Sequence, residues 1–155
     1  MGEDTEMRKS MVAAALLLLA LLTAACGGDK GENAPNSHEQ LALSYVNDFL
    51  NETSEEARSA YVKEHVHPEY QQLYSADTPM PDGPIQALPL SNPEVYKSIT
   101  DVQSEENGVA VWLKGEDNKE VIVLIIEGKV ATGFDNYSGS MLSMAGFEPL
   151  QREFE

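Results

Sequence analysis

The segment that decides the fold is Glu120-Val121-Ile122-Val123-Leu124-Ile125-Ile126-Glu127, in which six consecutive apolar residues lie between two acidic ones. Its length and its β-branched side chains are typical of a β-strand. Turn residues flank it, with Gly115-Glu116-Asp117-Asn118 before it and Gly128-Lys129 after it. We therefore expect this segment to be a strand that pairs with a neighbour on each side.

Shorter apolar runs extend the same pattern in both directions. Residues 109–114 precede the segment, and residues 130–134 follow it across the turn. A further run at residues 95–103 is separated from the next by the turn residues Glu105-Glu106-Asn107-Gly108. Short strands with turn residues between them predict an antiparallel meander. The sequence thus predicts four strands, at residues 95–103, 109–114, 120–127 and 130–134.

The first half of the chain has a helical period instead. From residue 38 to residue 51, apolar side chains recur at spacings of three and four, which predicts an amphipathic helix behind an N-cap at Ser37. Thr53 and Glu56 stand at the spacing of a capping box and predict the start of a second helix. Pro68 can begin a third, short helical turn that ends near residue 74.

Helices in the first half and strands in the second make the fold class α+β. We expect one domain over residues 37–155, with two to three N-terminal helices packed on a curved four-stranded antiparallel sheet. Five of the eight prolines fall between residues 76 and 93, where the two halves are joined by irregular chain. This order of elements resembles the cystatin-like and NTF2-like folds. The resemblance implies that the sheet wraps the first helix to form a cone, whose mouth is a pocket in some members and closed in others.

An uncharged run lies ahead of this domain. Arg8 and Lys9 precede residues 11–25, which contain only Met, Val, Ala, Leu and Thr. About 15 residues are too few to span a bilayer as a helix, which needs roughly 20. A basic start, an apolar run and small residues at its end predict a cleaved export signal.

The run ends in Leu22-Thr23-Ala24-Ala25-Cys26, which resembles the lipobox of bacterial lipoproteins. The resemblance implies cleavage between Ala25 and Cys26, followed by a mature N-terminus at a diacylated Cys26. Two acyl chains anchor a protein stably in a bilayer, whereas one gives marginal binding. Residues 1–25 are then the signal peptide, with translation from Met1 or from Met7. Residues 26–36, rich in Gly, Asn and charge, are a flexible tether.

The chain is strongly acidic, with 26 Asp and Glu against 10 Lys and Arg and a net charge of −16. Nucleic acids and anionic lipid headgroups are bound through clustered Lys and Arg, so the charge argues against both classes of partner. The lipid bilayer is expected as a partner through acylated Cys26 alone. The expected location is extracytoplasmic, at the bacterial cell membrane.

If the cone holds a pocket, the candidates to line it are Tyr45, Tyr61, Tyr70 and His65. The same spacing of aromatic residues suits an ordinary core equally well. His65 and His67 point about 200° apart on a helix, so both reach one metal ion only if the helix ends between them. The chain contains no nucleophile elbow, phosphate loop or dinucleotide fingerprint. We therefore predict no catalytic residue, no cofactor and no metal ligand.

Six consecutive apolar residues leave the central strand without a polar face, so both faces of the sheet need cover. The helices can cover one face. If the odd-numbered residues of the strand point to the helices, the other face carries Trp112, Ile122, Leu124 and Ile126. The reverse assignment fits the pattern as well. The second face is then either covered by the C-terminal segment, with its apolar residues at 141–150, or open as a surface for a protein partner or a homodimer.

These expectations combine into two functional hypotheses. The first is a membrane-anchored extracytoplasmic lipoprotein that acts as a non-enzymatic binding or protein-interaction module. The alternative is a small-ligand pocket protein, or an enzyme, of NTF2-like type. The first rests on the leader and the absence of a catalytic motif, and the second rests on the resemblance in fold.

Overall fold

The computed structural model describes residues 34–74, 88–102 and 108–155. The predicted leader, Cys26, most of the tether and much of the proline-rich connection lie outside the described residues. The segment Pro35–Glu155 forms one compact unit. Its elements are, in chain order, α1 (Ser37–Ser44), a π-helix (Tyr45–Leu50), α2 (Glu55–His65), a 3₁₀-helix (Pro68–Tyr74), β1 (Glu94–Thr100), β2 (Gly108–Lys114), a 3₁₀ turn (Glu116–Asn118), β3 (Glu120–Ile126), β4 (Lys129–Asp135) and α3 (Met141–Glu153).

The four strands form one antiparallel sheet in the order β1-β2-β3-β4, so each strand pairs with its neighbour in sequence. The predicted α+β class and the predicted meander are thereby confirmed. β1 ends earlier than expected, at Thr100, where Asp101 adopts a left-handed conformation with a φ of 58°. Between β3 and β4, Glu127 and Gly128 have φ values of 50° and 74°, as in a two-residue type I′ turn.

Two bulges bend the sheet. Tyr96 is the extra residue where β1 pairs with β2, and Ala131 is the extra residue where β4 pairs with β3. A bulge bends its strand and increases the local twist, which accounts for the curvature of the sheet. The carbonyl of Ala131 accepts a hydrogen bond from the Tyr74 hydroxyl at 3.2 Å, so the 3₁₀-helix is fastened to this bulge.

The helices pack on the face of the sheet that carries the odd-numbered residues of β3. This is the first of the two assignments that the sequence left open. The core between α1, the π-helix, α2 and the sheet is made of large apolar and aromatic side chains. Its fully buried members include Ala42, Tyr45, Val46, Val66, Leu90, Val111, Leu113, Val121, Val123 and Val130.

The opposite face of the sheet is covered by α3. Side chains of α3 pack on Trp112, Ile122 and Leu124, which are 8%, 0% and 5% exposed. Ile126, at the end of β3, is half-buried against the same cluster. Of the two possibilities that the sequence left open, the C-terminal segment therefore folds over this face. The proposed interaction face is not an open surface while α3 is docked.

The helices begin one residue away from the predicted positions. Asn36, not Ser37, caps α1, since its side chain accepts hydrogen bonds from two backbone N–H groups of the first turn, both at 3.0 Å. Ser54, not Thr53, caps α2. In both cases two adjacent residues have side chains that can cap a helix, so the apolar period alone did not distinguish them.

α1 continues directly into the π-helix, whereas the sequence predicted a single α-helix through residue 51. Tyr45, Val46, Phe49 and Leu50 are all buried in this segment. π-helical turns are rare and occur frequently at functional sites. The surroundings of the π-helix are therefore a candidate functional site.

Candidate functional site

Four aromatic rings fill the space between the π-helix and the sheet, and we call them the aromatic cluster. The ring centroid of Tyr45 lies 5.4 Å from that of Phe49, 6.5 Å from that of Tyr61 and 6.4 Å from that of Tyr74. Phe49 in turn lies 5.9 Å from Tyr61 and 5.2 Å from Tyr74. Centroids about 4.5–7 Å apart belong to rings in direct contact. The aromatic cluster is thus packed core.

The structure brings three of the four predicted pocket residues into one series of contacts. Tyr45 contacts Tyr61, and the ring of Tyr61 contacts that of His65 at 4.7 Å. Tyr70 instead lies against His67, with ring centroids 5.8 Å apart. Tyr45 is 0% and Tyr61 6% exposed. These two residues therefore serve as interior packing rather than as the open lining of a pocket.

The three tyrosine hydroxyls of the aromatic cluster differ in their hydrogen bonds. Tyr74 bonds to the Ala131 carbonyl, and the Tyr61 hydroxyl lies 3.0 Å from Ser44 Oγ. The Tyr45 hydroxyl lies near that of Tyr74 but, among the described residues, makes no hydrogen bond of normal geometry. Burial raises the pKa of Tyr45 and Tyr61 well above the ordinary value and raises the pKa of Tyr74 to about 12. The cluster is therefore uncharged at neutral pH.

Asp135 is fully buried at the end of β4 and joins three parts of the domain. Its carboxylate accepts hydrogen bonds from the backbone N–H groups of Leu88 at 3.0 Å, Tyr137 at 3.2 Å and Ser138 at 2.8 Å. Its own N–H donates to Ser143 Oγ at 2.6 Å. A buried carboxylate is tolerated when such donors replace its water. Asp135 therefore acts as a structural junction between the chain before β1, β4 and α3.

α3 lies close against the sheet at Gly146. A Cβ at this position would lie 2.1 Å from Cε1 of Phe134, a distance that no side chain tolerates without movement. On the same face, the indole N–H of Trp112 is buried and has no hydrogen-bond partner within the described residues. The Lys97 ammonium of β1 donates to the carbonyl of Phe154, just beyond the end of α3. Close steric fit, together with the polar bonds at Ser143 and at the Phe154 carbonyl, thus holds α3 in place.

An exposed corner lies beside α3, where β1 and β2 meet. Tyr96 is 56% exposed, and its ring stands edge-on to Trp112 at a centroid distance of 5.0 Å and an angle of 79°. The Lys114 Nζ lies 3.4 Å from the centroid of Tyr96 and 5.0 Å from that of Trp112. It also lies 3.5 Å from Glu120 Oε1. We call Tyr96, Trp112, Lys114 and Glu120 the cation corner.

The two histidines at the end of α2 have separate partners. His65 Nε2 lies 3.9 Å from Glu64 Oε1, and His67 Nε2 lies 3.6 Å from Glu127 Oε2 in the β3–β4 turn. Among residues 34–74, 88–102 and 108–155, no group of three or more His, Cys, Asp and Glu side chains is placed to hold a metal ion. Although His65 and His67 are only two residues apart, they belong to no such group of metal ligands within these residues.

The chain was compared with protein-family models, with curated proteins and with solved structures. No family model, curated protein or solved structure matches it significantly. Within the part of the chain that the structure describes, no helix has the length and apolar character to cross a membrane. Any assignment of function therefore rests on the residues themselves.

Sequence reasoning missed both the Asp135 junction and the cation corner. Val95 packs on the helix side, so a strict alternation in β1 places Tyr96 on the outer face and Lys97 back on the helix side. The bulge instead places both Tyr96 and Lys97 on the outer face, where they meet Trp112 and the end of α3. The run Asp135-Asn136-Tyr137-Ser138 was the available signal for the junction, since Asp side chains accept from backbone N–H groups two or three residues on.

Proposed function

We propose that this protein is an extracytoplasmic bacterial lipoprotein, anchored to the cell membrane by acylated Cys26, whose domain is a non-enzymatic binding or protein-interaction module. The observation that carries this proposal is the sequence Leu22-Thr23-Ala24-Ala25-Cys26 at the end of an uncharged run. Small residues directly before a cysteine are what lipoprotein processing requires, as the lipobox resemblance implies. The cysteine is also the only one in the chain.

The position at which α1 begins supports this proposal. Asn36 caps α1 ten positions after Cys26. Ten residues reach at most about 35 Å when fully extended, at roughly 3.3–3.6 Å per residue. A tether of this length lets the domain clear the lipid headgroups while staying close to them. The net charge of the full chain is −16, of which residues 1–25 carry only −1, so the charge disfavours adsorption of the domain onto an anionic surface.

The packing of the interior favours a binding module over the alternative of an NTF2-like pocket protein or enzyme. Tyr45 and Tyr61 are in contact with other rings and are held as neutral phenols. An acid–base mechanism needs a group whose pKa lies near the working pH, and burial moves these two in the opposite direction. Recognition through the surface of the domain is therefore the better-supported mode.

The finer assignment to a cystatin-like or NTF2-like fold belongs to the same proposal. The order of helices followed by a four-stranded meander supports it, as does the bulged, curved sheet around α1. An assignment to either fold must also account for α3, which covers the second face of the sheet. An experimental structure superposed on members of both folds is the test of this point.

Acylation is tested by expressing the full chain in a bacterium that is fed an alkyne analogue of palmitate. We expect the wild-type protein to be labelled and to partition into the detergent phase, and Cys26→Ala to lose both properties. Thr23→Leu is the matched control, since it alters the same short motif but preserves the cysteine and should keep full labelling. Equal labelling of wild type and Cys26→Ala would overturn the proposal.

The start of translation is a separate point that the same assay resolves. Glu3, Asp4 and Glu6 suit an export signal poorly, whereas a start at Met7 places Arg8 and Lys9 directly at the N-terminus. We expect a gene that begins at Met7 to give the same amount of labelled protein as the full one. Loss of labelling on this truncation would assign the start to Met1.

A further inference from the structure

The bulge in β1 brings two consecutive side chains to the outer face of the sheet. Val95 packs on the helix side of the sheet, and both Tyr96 and Lys97 follow on the outer face, beside Trp112 and the end of α3. A β-bulge sets two residues of one strand against one of its partner, and bulges are common at the edges of sheets. The result is an exposed tyrosine ring with the indole as one wall, on the edge strand of the domain.

A positive charge already occupies this corner. The Lys114 ammonium lies over the Tyr96 ring at 3.4 Å and lies 5.0 Å from the Trp112 centroid. The Glu120 carboxylate, whose side chain is 18% exposed, supplies the opposite charge at 3.5 Å. Two aromatic faces and a carboxylate around one ammonium are the components of a site for an organic cation, because the negative ring faces attract positive charge.

We propose that the cation corner binds alkylammonium groups, in particular quaternary ones, and that Lys114 occupies the site in the absence of such a ligand. A primary ammonium is strongly hydrated and gains most from water and carboxylates. A quaternary ammonium has no N–H donor and is weakly hydrated, so aromatic faces are its preferred contacts. Displacing the Lys114 head requires only rotation of its flexible stem, since its side chain is 39% exposed.

The charge of the whole chain supports a cationic ligand. With a net charge of −16, the protein raises the local concentration of cations and lowers that of anions. This inference adds a ligand class to the proposed binding module. It does not depend on the acylation of Cys26, so a negative result here leaves the lipid-anchor proposal standing, and the reverse also holds.

The experiment uses the full chain in non-ionic detergent, titrated with tetramethylammonium chloride against sodium chloride at equal ionic strength. Trp112 is the only tryptophan in the chain, so its fluorescence reports on the corner directly. Because Lys114 competes with the ligand, we expect Lys114→Ala to bind tetramethylammonium at least fivefold more tightly than wild type. Tyr96→Leu in the Lys114→Ala background should abolish binding. Ligand methyl protons should shift upfield in NMR spectra with Lys114→Ala and not with the double variant.

Lys119→Ala is the matched control, since Lys119 also places its ammonium over a ring, 5.4 Å from the Tyr137 centroid, and its removal changes the net charge equally. We expect Lys119→Ala to bind as wild type does. If Lys114→Ala binds no more tightly than Lys119→Ala, the proposal is wrong. It is equally wrong if the Tyr96→Leu double variant, shown by circular dichroism to be folded, retains the binding and the upfield shift.

Discussion

The ring of Tyr45 packs against Gly133 of β4 so closely that a Cβ at residue 133 would lie 2.5 Å from Tyr45 Cε1 and 3.0 Å from its hydroxyl oxygen. The π-helix and the sheet are therefore in contact at a point where no side chain fits between them. This contact sets how near α1 and its π-helical continuation come to β4.

Gly133→Ala tests this contact. The added methyl group must displace the Tyr45 ring in a filled core, and we expect a loss of about 1–3 kcal/mol in the free energy of unfolding. Urea denaturation measures it. If the clash is with the ring, Gly133→Ala combined with Tyr45→Leu should lose less than the sum of the two single losses. Strict additivity would show that the strain lies elsewhere.

The hydroxyls of Tyr45 and Tyr74 form a matched pair for a second test. Tyr45→Phe removes a buried hydroxyl without a hydrogen bond of normal geometry, so we expect no loss of stability or a gain of up to about 1 kcal/mol. Tyr74→Phe breaks the bond to Ala131 and should cost about 0.5–1.5 kcal/mol. Thermal and urea unfolding of both variants provide the comparison. Equal losses would mean that the two hydroxyls are equally well bonded.

The raised tyrosine pKa values predict instability at alkaline pH. An unfolded tyrosine ionises near pH 10, whereas burial raises the pKa of Tyr74 to about 12 in the folded protein. The unfolded state therefore loses its proton first as the pH rises. The stability that the raised pKa of Tyr74 adds to the folded state is fully present below about pH 10. It is lost between about pH 10 and 12, by up to about 1.4 kcal/mol per pH unit for one tyrosine. Urea denaturation from pH 8 to 11.5 should show a shallower decline for Tyr74→Phe, and identical slopes would contradict this account.

Gly146→Ala is expected to displace α3. The new Cβ meets the ring of Phe134, so the helix must move away and expose Trp112 to water. We expect a red-shifted tryptophan emission and a loss of about 1–3 kcal/mol in the free energy of unfolding. Ala145→Ser changes the neighbouring, exposed residue of the same helix and should leave the emission unchanged. An unshifted emission in Gly146→Ala would show that the helix has room to adjust.

Local patterns in the sequence were enough to predict the sheet and the helical half. Runs of apolar residues between glycine-containing turns placed β2, β3 and β4 to within a residue or so, because turn residues such as Gly128 fix the ends of strands. The π-helix was missed because its wider hydrogen-bonding pattern has no distinct sequence period. The cover of Trp112 by α3 was left open because apolar residues at helical spacing indicate that a face is buried, not against which surface.

The candidate sites were harder to predict, since each depends on contacts between distant segments. Tyr45, Tyr61, Tyr70 and His65 were grouped as candidates to line a pocket. The structure brings Tyr45, Tyr61 and His65 into contact because they lie on consecutive helices that pack together. The 3₁₀-helix places Tyr70 beside His67, against the same core. The placement of both Tyr96 and Lys97 beside Trp112 depends on a bulge, and bulges are set by the pairing of whole strands rather than by the residue itself.

The carboxylate of Glu39 uses both of its oxygens at the beginning of the domain. Oε2 accepts from the Asn36 N–H at 2.8 Å, and Oε1 accepts from the Ser98 hydroxyl on β1 at 2.7 Å. We expect mechanical force applied at Asn36 to be shared between the axis of α1 and the edge of the sheet. Uncoiling the first turn of α1 would move Glu39 and break its bond to Ser98, so the first turn and the edge strand should yield together.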